Sequence, residues 1–264
     1  TSILEEMFTD LRLQNFRSYR DSSFELNPGV NIIVGPNASG KTNLIEAILV
    51  LASGSSYRAS DSELIQFDKP WARVDGDTDN NQRRTVKIVV EPEPSKSYEV
   101  AGKTMKRLGL NSSLPVVLIE TNHLLMLSGG PERRRAYLDE LLSQTEPGYG
   151  TLLRQYKRAL AQRNRLLKNH QPISLKEQIF AWDVKLSQLA GQIVRSRSQL
   201  SQKIDDRLSK LYKDLSKTKN EVTVSYQSQW KPTNYETKLL DKLETSLSTD
   251  IQRGFTTNGP HRED

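Results

Sequence analysis

Cysteine is absent from this 264-residue chain, which excludes disulfides, zinc–thiolate centres and a thiol nucleophile. A cytoplasmic setting is the simplest reading of that absence. No apolar run is long enough to span a bilayer, and the opening residues show no signal-peptide pattern, so no membrane partner is expected. Thr1 is not an initiator. Met7 reads as the natural start and residues 1–6 as an N-terminal extension. Acidic residues are only mildly outnumbered: 38 Lys and Arg face 32 Asp and Glu, a formal +6 that points weakly to an anionic partner.

What is present is organised around Gly35-Pro36-Asn37-Ala38-Ser39-Gly40-Lys41-Thr42, a match to G-x-x-x-x-G-K-[ST], the phosphate-binding loop. Upstream, Val30-Asn31-Ile32-Ile33-Val34 reads as a buried β-branched strand, and residues 43–51 downstream read as a helix. Phosphate binding requires that order. Glycines let the backbone wrap a polyphosphate, and the free N–H groups at the helix start point at its oxygens. Lys41 is expected to pair with the β- and γ-phosphates of a nucleoside triphosphate, and the Thr42 hydroxyl to ligate Mg²⁺.

Elsewhere in the first half, residues 11–19 begin as an alternating strand and then turn. Residues 24–26 alternate again, so two strands precede the nucleotide strand. Residues 61–67 read as a helical turn capped by Asp61 or Ser60. Residues 72–75, 83–91 and 98–100 alternate between Asp-, Asn-, Pro- and Gly-rich turns and predict a β-meander. At Val116-Val117-Leu118-Ile119-Glu120 an apolar run precedes an acid, as in a Walker B strand whose carboxylate helps hold Mg²⁺. Any buried strand ending in a polar loop gives the same pattern, and such strands are commoner.

From Pro131 to about Leu215 the periodicity is helical. Residues 131–142 open with proline and acid, as a helix should. Residues 151–169 and 174–215 follow with apolar residues at three- and four-residue spacing. Leu175, Ile179, Trp182, Leu186, Leu189, Ile193, Leu200, Ile204, Leu208 and Leu211 form one stripe. Pro172 and its neighbours make the turn between these helices. Residues 222–226 return to a strand pattern, residues 234–249 read as another helix, and the chain closes in a short strand entering a polar turn. Between Pro131 and Asn220, nineteen Lys or Arg stand against nine Asp or Glu, which leaves the rest of the chain at −4. A basic helical arm on a nucleotide-binding core is the footprint of a phosphate-backbone binder; an ordinary solvated surface is the plainer alternative. Few aromatics interleave these charges, which favours double-stranded backbone over threading of a single strand.

The chain also carries the Leu-x-Leu-x-Asn-Phe-Arg-Ser-Tyr opening, the loop at 35–42, Ser56-Tyr57-Arg58 and Glu63-Leu64-Ile65. Further on come Gly130-Pro131-Glu132-Arg133-Arg134-Arg135 with Leu138-Asp139, Gln162-Arg163-Asn164, Trp182-Asp183, and the closing Gly259-Pro260-His261-Arg262-Glu263-Asp264. Together these separated segments resemble one family, that of RecF, bacterial recombination and gap-repair ATPases related to SMC and ABC ATPases. A hairpin ahead of the loop is typical of that type. The resemblance implies an α/β fold with an ABC/SMC-type P-loop ATPase lobe, its mixed sheet including antiparallel strands, and a mainly helical second lobe. The first lobe would span 7–115, with 255–264 returning to it, and the second 116–254. ATP and Mg²⁺ are the implied cofactors. An ATP-dependent homodimer, double-stranded and gapped DNA held across it, and RecO and RecR are the implied partners. By matching motif, Gly35, Pro36, Asn37, Ala38, Ser39, Gly40, Lys41 and Thr42 bind nucleotide, Thr42 holds the metal, and Arg17 is a further nucleotide contact. On the basic arm, Arg133, Arg134, Arg135, Arg163 and Arg165 are the candidate DNA contacts. Arg58 carries over as a motif residue without a derived role.

The chain departs from the family pattern twice. A Pro-Glu pair usually follows the strand at 116–119, where this chain has Thr121-Asn122-His123. The family's Ser-x-Gly-Gln signature, Walker B aspartates and final strands follow the position of Asp264, so this polypeptide by itself is expected to bind ATP weakly and hydrolyse it very poorly. Two readings from other classes compete. A P-loop nucleotide kinase or GTPase would need an acceptor site or the guanine-reading Asn-Lys-x-Asp, and the latter does not occur in the sequence. A non-catalytic interaction module would use the surviving lobe only as a docking surface.

Overall fold

The computed structural model of the chain describes residues 7–168, 175–218 and 220–264. They fall into two compact units, Thr1–Leu118 and Ile119–Asp264.

In the first unit, strands β1 (Phe8–Phe16) and β2 (Tyr19–Glu25) form the hairpin ahead of the loop. Strands β3 (Trp71–Thr78), β4 (Arg83–Val89), β5 (Ser95–Val100) and β6 (Lys103–Met105) form the meander. The strand order is β2-β1-β3-β4-β5-β6, and each of these pairings is antiparallel. The two-residue period of a strand sends alternate side chains to one face. Leu13, Val74, Val86 and Tyr98 stand opposite one another on successive strands, so one buried row crosses the sheet. Helix α1 (Lys41–Ser53) contributes Leu44, Ala47, Val50 and Leu51 to the same core. Gly76 of β3 allows the close approach: a Cβ there would stand 2.8 Å from Leu51 Cδ1. Each buried Leu or Val contributes roughly 1.5–3 kcal/mol, so packing against the sheet fixes the helix that follows the loop.

Residues 30–34 depart from the expected buried strand. They form no strand, and Val30 is 85% and Ile32 81% exposed. A β-branched run becomes a strand only where a neighbour offers ladder hydrogen bonds. Neither edge strand of the sheet, β2 or β6, pairs with it among the described residues.

The second unit is helical: α2 (Leu125–Ser128), α3 (Pro131–Thr145), α4 (Tyr149–Lys168), α5 (Leu175–Ser216), α6 (Tyr235–Thr245) and α7 (Leu247–Arg253). Pro131 sits in the first turn of α3, where its missing N–H would have no partner anyway. Tyr156 and Ala159 of α4, Leu186, Leu189, Ile193 and Val194 of α5, and Tyr235, Leu239 and Leu243 of α6 make one buried core. The stripe on α5 is therefore core in its first half. At its far end Leu211 is 56% exposed. The turn at Pro172 and the Leu175 side chain lie outside the described residues. Residues 222–226 form no strand, because side chains of α5 take the place of a ladder partner: Ser209 Oγ donates to the Val222 carbonyl and the Val224 N–H donates to Asp205. Residues 255–264, which the resemblance assigns to the first lobe, belong to the second unit here. Arg197 donates to the Pro260 carbonyl, Arg135 to the Glu263 carbonyl and Tyr235 to the Glu263 carboxylate. No helix of the described residues is long and apolar enough to cross a membrane.

Candidate functional site

Helix α1 starts directly after Gly40, whose φ of 98° is the left-handed geometry that glycine adopts without strain. A Cβ on Gly40 would lie 2.8 Å from Ser18 Oγ and 3.0 Å from Tyr19 OH, so the tip of the β1–β2 hairpin presses on the end of the loop. Tyr19 OH donates to the Gly40 carbonyl at 3.1 Å, and Asn43 Nδ2 donates to Ser18 Oγ at 3.0 Å. The strands ahead of the loop thus brace it. Residues 35–39 are exposed, as is Thr42 in the first turn of α1. Lys41 folds back over the loop, its Nζ donating to the carbonyls of Gly35 and Pro36 at 2.7 and 2.6 Å. Neutral carbonyls are weaker partners for an ammonium than an anionic phosphate oxygen would be.

Further along α1, Glu46 is fully buried. Its carboxylate accepts from Arg17 at 3.0 and 3.1 Å, from Arg58 at 3.0 and 3.3 Å, and from Ser56 Oγ at 2.5 Å. Arg58 also donates to Asn43 Oδ1 at 3.0 Å. Burial alone would raise the carboxyl's pKa. The hydrogen bonds from Arg58, Arg17 and Ser56 overcome that and hold it at about 2. Two guanidinium groups therefore share this carboxylate, and Glu63 stands near Arg17 as a second acid. The Arg17 backbone N–H is pinned to the Leu64 carbonyl at 2.8 Å, which fixes where its side chain starts. An open pocket of about 530 Å³ is lined by Arg17, Ser18, Asn43, Arg58 and Glu63. The structure ties Arg17 to Glu46 and Arg58, in a pocket that also includes Ser18 and Asn43, which bond each other beside the start of α1. Glu46 is the only charged residue between Lys41 and Arg58, and an acid alone on an otherwise apolar helix was the signal that could have found it.

A family model described as an AAA domain matches residues 10–252. The DNA replication and repair protein RecF of Heliobacterium modesticaldum is 32% identical over 262 residues, covering 96% of this chain and 70% of that protein. This chain belongs to the RecF family. The RecF of Acetivibrio thermocellus is 31% identical over 269 residues, covering 98% of this chain and 73% of its own length. Among solved structures, RecF-ATPrS, a recombination mediator of the RecFOR pathway, superposes with a TM-score of 0.86 at 28% identity, covering 98% of this chain and 72% of that one. The RecF-ATP structure gives 0.83 at 28% identity, covering 100% and 73%. The RecF fold, an α/β ATPase lobe with antiparallel strands plus helices, is the fold of this chain.

The other candidate residues divide into buried, paired and exposed ones. Residues 114–120 form no strand, and the Glu120 N–H donates to His123 Nδ1 at 3.0 Å, so the Walker B pattern lacks its structural premise. Arg163, read as a DNA contact, is fully buried instead. Its guanidinium is bonded to Asp183, to Asp250 at 2.7 Å and to Thr256 Oγ1 at 2.9 Å. A cation buried in a protein needs such partners, and they enclose it beyond reach of a phosphate. Burial raises the Asp183 carboxyl's pKa, against the pull of Arg163. Arg134 is paired with Asp264 and donates to the Met126 and Gly129 carbonyls. Arg135 is bonded to the Glu263 carbonyl. Arg133 and Arg165 are exposed. Asn164 Oδ1 accepts from the Thr256 N–H and hydroxyl at 2.8 and 2.7 Å. The arm's motifs therefore bind mainly one another.

Proposed function

We propose that this RecF-family chain binds ATP with Mg²⁺ at residues 35–42 and acts in recombinational DNA repair, as an ATP-dependent dimer on double-stranded and gapped DNA with RecO and RecR. The nucleotide half of this reading rests on one observation: the Lys41 ammonium folded over the loop carbonyls at the start of α1. The residues fit the group. Gly40 has no room for a side chain, and the first N–H groups of α1 lack helical partners of their own. Lys41 would exchange two carbonyls for phosphate oxygens, while Arg17 and Arg58, with Glu63, line the neighbouring pocket. Thr42 would hold Mg²⁺ together with the nucleotide's own oxygens, since that ion takes few protein ligands. When bound, ATP supplies a polyanion with a transferable terminal phosphoryl group; the chain's own part is to bind it and screen its charge. The repair half is supported by the names its relatives carry and by the basic surplus of the second unit.

The test is Lys41→Ala, read by titrating a fluorescent ATP analogue with Mg²⁺. Losing one charge-assisted contact should weaken binding by about tenfold or more. The melting midpoint of the nucleotide-free protein should stay put, because Lys41 bonds only exposed loop carbonyls. Undiminished affinity would remove the site from residues 35–42.

A further inference from the structure

Helix α4 carries six Lys or Arg and no Asp or Glu along its 20 residues. With Arg163 taken by the core, Arg154, Lys157, Arg158, Arg165 and Lys168 remain, all of them exposed. Residues 154, 158, 165 and 168, with Ala161 between them, follow the three- and four-residue steps that keep to one side of a helix. At 1.5 Å per residue the row is about 21 Å long. Among the described residues none of these five cations has an ion pair.

The charge is local. From Thr151 to Ile204 there are eleven Lys or Arg against two acids, and one of those acids, Asp183, is buried on Arg163. From Asp205 to Arg253 the count is nine against eight. A solvated helix face ordinarily interleaves both signs, and like charges four residues apart, such as Arg154 and Arg158, oppose the helix by about 0.2–0.5 kcal/mol. An anionic polymer along the face would reverse that sign. No large apolar side chain stands among the cations of the row, so it lacks what a membrane surface would bury. No aromatic stands there either, so bases have nothing to stack on.

We propose that the outer face of α4 grips the phosphate backbone of double-stranded DNA, without reading its sequence, over about six base steps. This rests on the repair reading above and relocates the contact: Arg165 stays, Arg154, Lys157, Arg158 and Lys168 join it, and Arg163 leaves. The test compares Arg158→Gln/Arg165→Gln with a charge-matched pair on the exposed far part of α5, Arg207→Gln/Lys210→Gln. Binding to a labelled duplex is followed by anisotropy across a salt series, with and without ATP and Mg²⁺. The α4 pair should lower the slope of log affinity against log salt by about two and weaken binding by about tenfold or more near 50 mM salt. Its melting midpoint should not move, and the α5 pair should bind like the parent. Equal losses from both pairs would mean that only net charge counts, and an α4 pair that binds normally would place the contact elsewhere; either outcome overturns this proposal alone. Preference of the parent for anionic vesicles over duplex would also overturn it. A parent that binds no duplex at any salt would take down the repair reading as well.

Discussion

Each unit holds a knot of arginines and carboxylates, and the two knots have opposite stoichiometry. In the first unit Arg17 and Arg58 share the single carboxylate of Glu46, and the two arginine side chains keep 23% and 37% of their surface open. In the second, Arg163 alone faces Asp183 and Asp250, and its side chain is fully enclosed. The first knot opens on a pocket that Glu63 also lines; the second has anion to spare and is sealed. Arginine in a family motif can therefore mean two things. A guanidinium left partly open at a surface remains able to take an anionic ligand, whereas one shut in by two acids constrains the fold. Burial and charge balance decide between them, and residue type does not.

The strongest way to break this contrast is Arg163→Gln. It would leave two buried carboxylates without their cation, a change that typically costs about 3–5 kcal/mol. For a chain of this size each kcal/mol moves the melting midpoint by roughly 2–4 °C, so a fall of about ten degrees is expected in a circular-dichroism melt. Nucleotide affinity, measured well below the midpoint, should be unchanged because the loop belongs to the other unit. A variant that melts normally but loses DNA would return Arg163 to the DNA surface and erase the distinction.

The sequence made the hairpin, the meander, the loop and the long helices legible, because each has a local cause: period-two alternation, turn residues, glycines before a lysine, and apolar spacing along a helix. What it could not show depends on partners far along the chain. The run at 30–34 has every intrinsic property of a strand and lacks a neighbour to bond. Arg163 and Arg165 stand two residues apart in one basic helix, so they point to different sides of it, one into Asp183 and Asp250 and the other into solvent. The Glu46 knot gathers residues from a hairpin tip, a helix and a loop, and no spacing rule links them.

His261, in the closing motif, is a half-buried group with a pH signature. Its Nδ1 lies 2.7 Å from Tyr156 OH and its Nε2 3.2 Å from the Thr256 carbonyl, a pair of contacts that suits the neutral ring carrying its proton on Nε2. Burial, reinforced by the neighbouring charges of Arg262, Arg135 and Arg197, lowers its pKa to about 4. The unfolded chain takes up that proton near pH 6.5, so between about pH 6.5 and 4 the unfolded state holds more protons than the folded one. Stability is then full above the window and declines as pH falls through it, by up to about 3 kcal/mol. His261→Gln should flatten this part of a denaturation-versus-pH series. An unchanged slope would mean that His261 charges freely in the folded protein and that the second unit is less tightly closed than its geometry says.

Glu46→Gln is the gentlest probe and the one that sharpens the contrast most. The amide keeps the shape and removes the charge, leaving Arg17 and Arg58 facing each other at a partly exposed site where solvent screens much of the repulsion. The apo protein should lose only about 1–2 kcal/mol. Glu46 titrates near 4.5 unfolded and at about 2 folded, so the stability it supplies is present above pH 4.5 and is lost as pH falls toward 2. The variant should lack that acid limb. Removing the carboxylate also makes the local charge one unit more positive. If both arginines face the nucleotide, ATP with Mg²⁺ should therefore raise the variant's melting midpoint by more than it raises the parent's, the ligand's oxygens standing in for the missing acid. An equal rise in both proteins would place the arginines outside the ligand's field. The Glu46 knot would then be a structural tie of the same kind as the one around Arg163, and its exposure would carry no functional meaning.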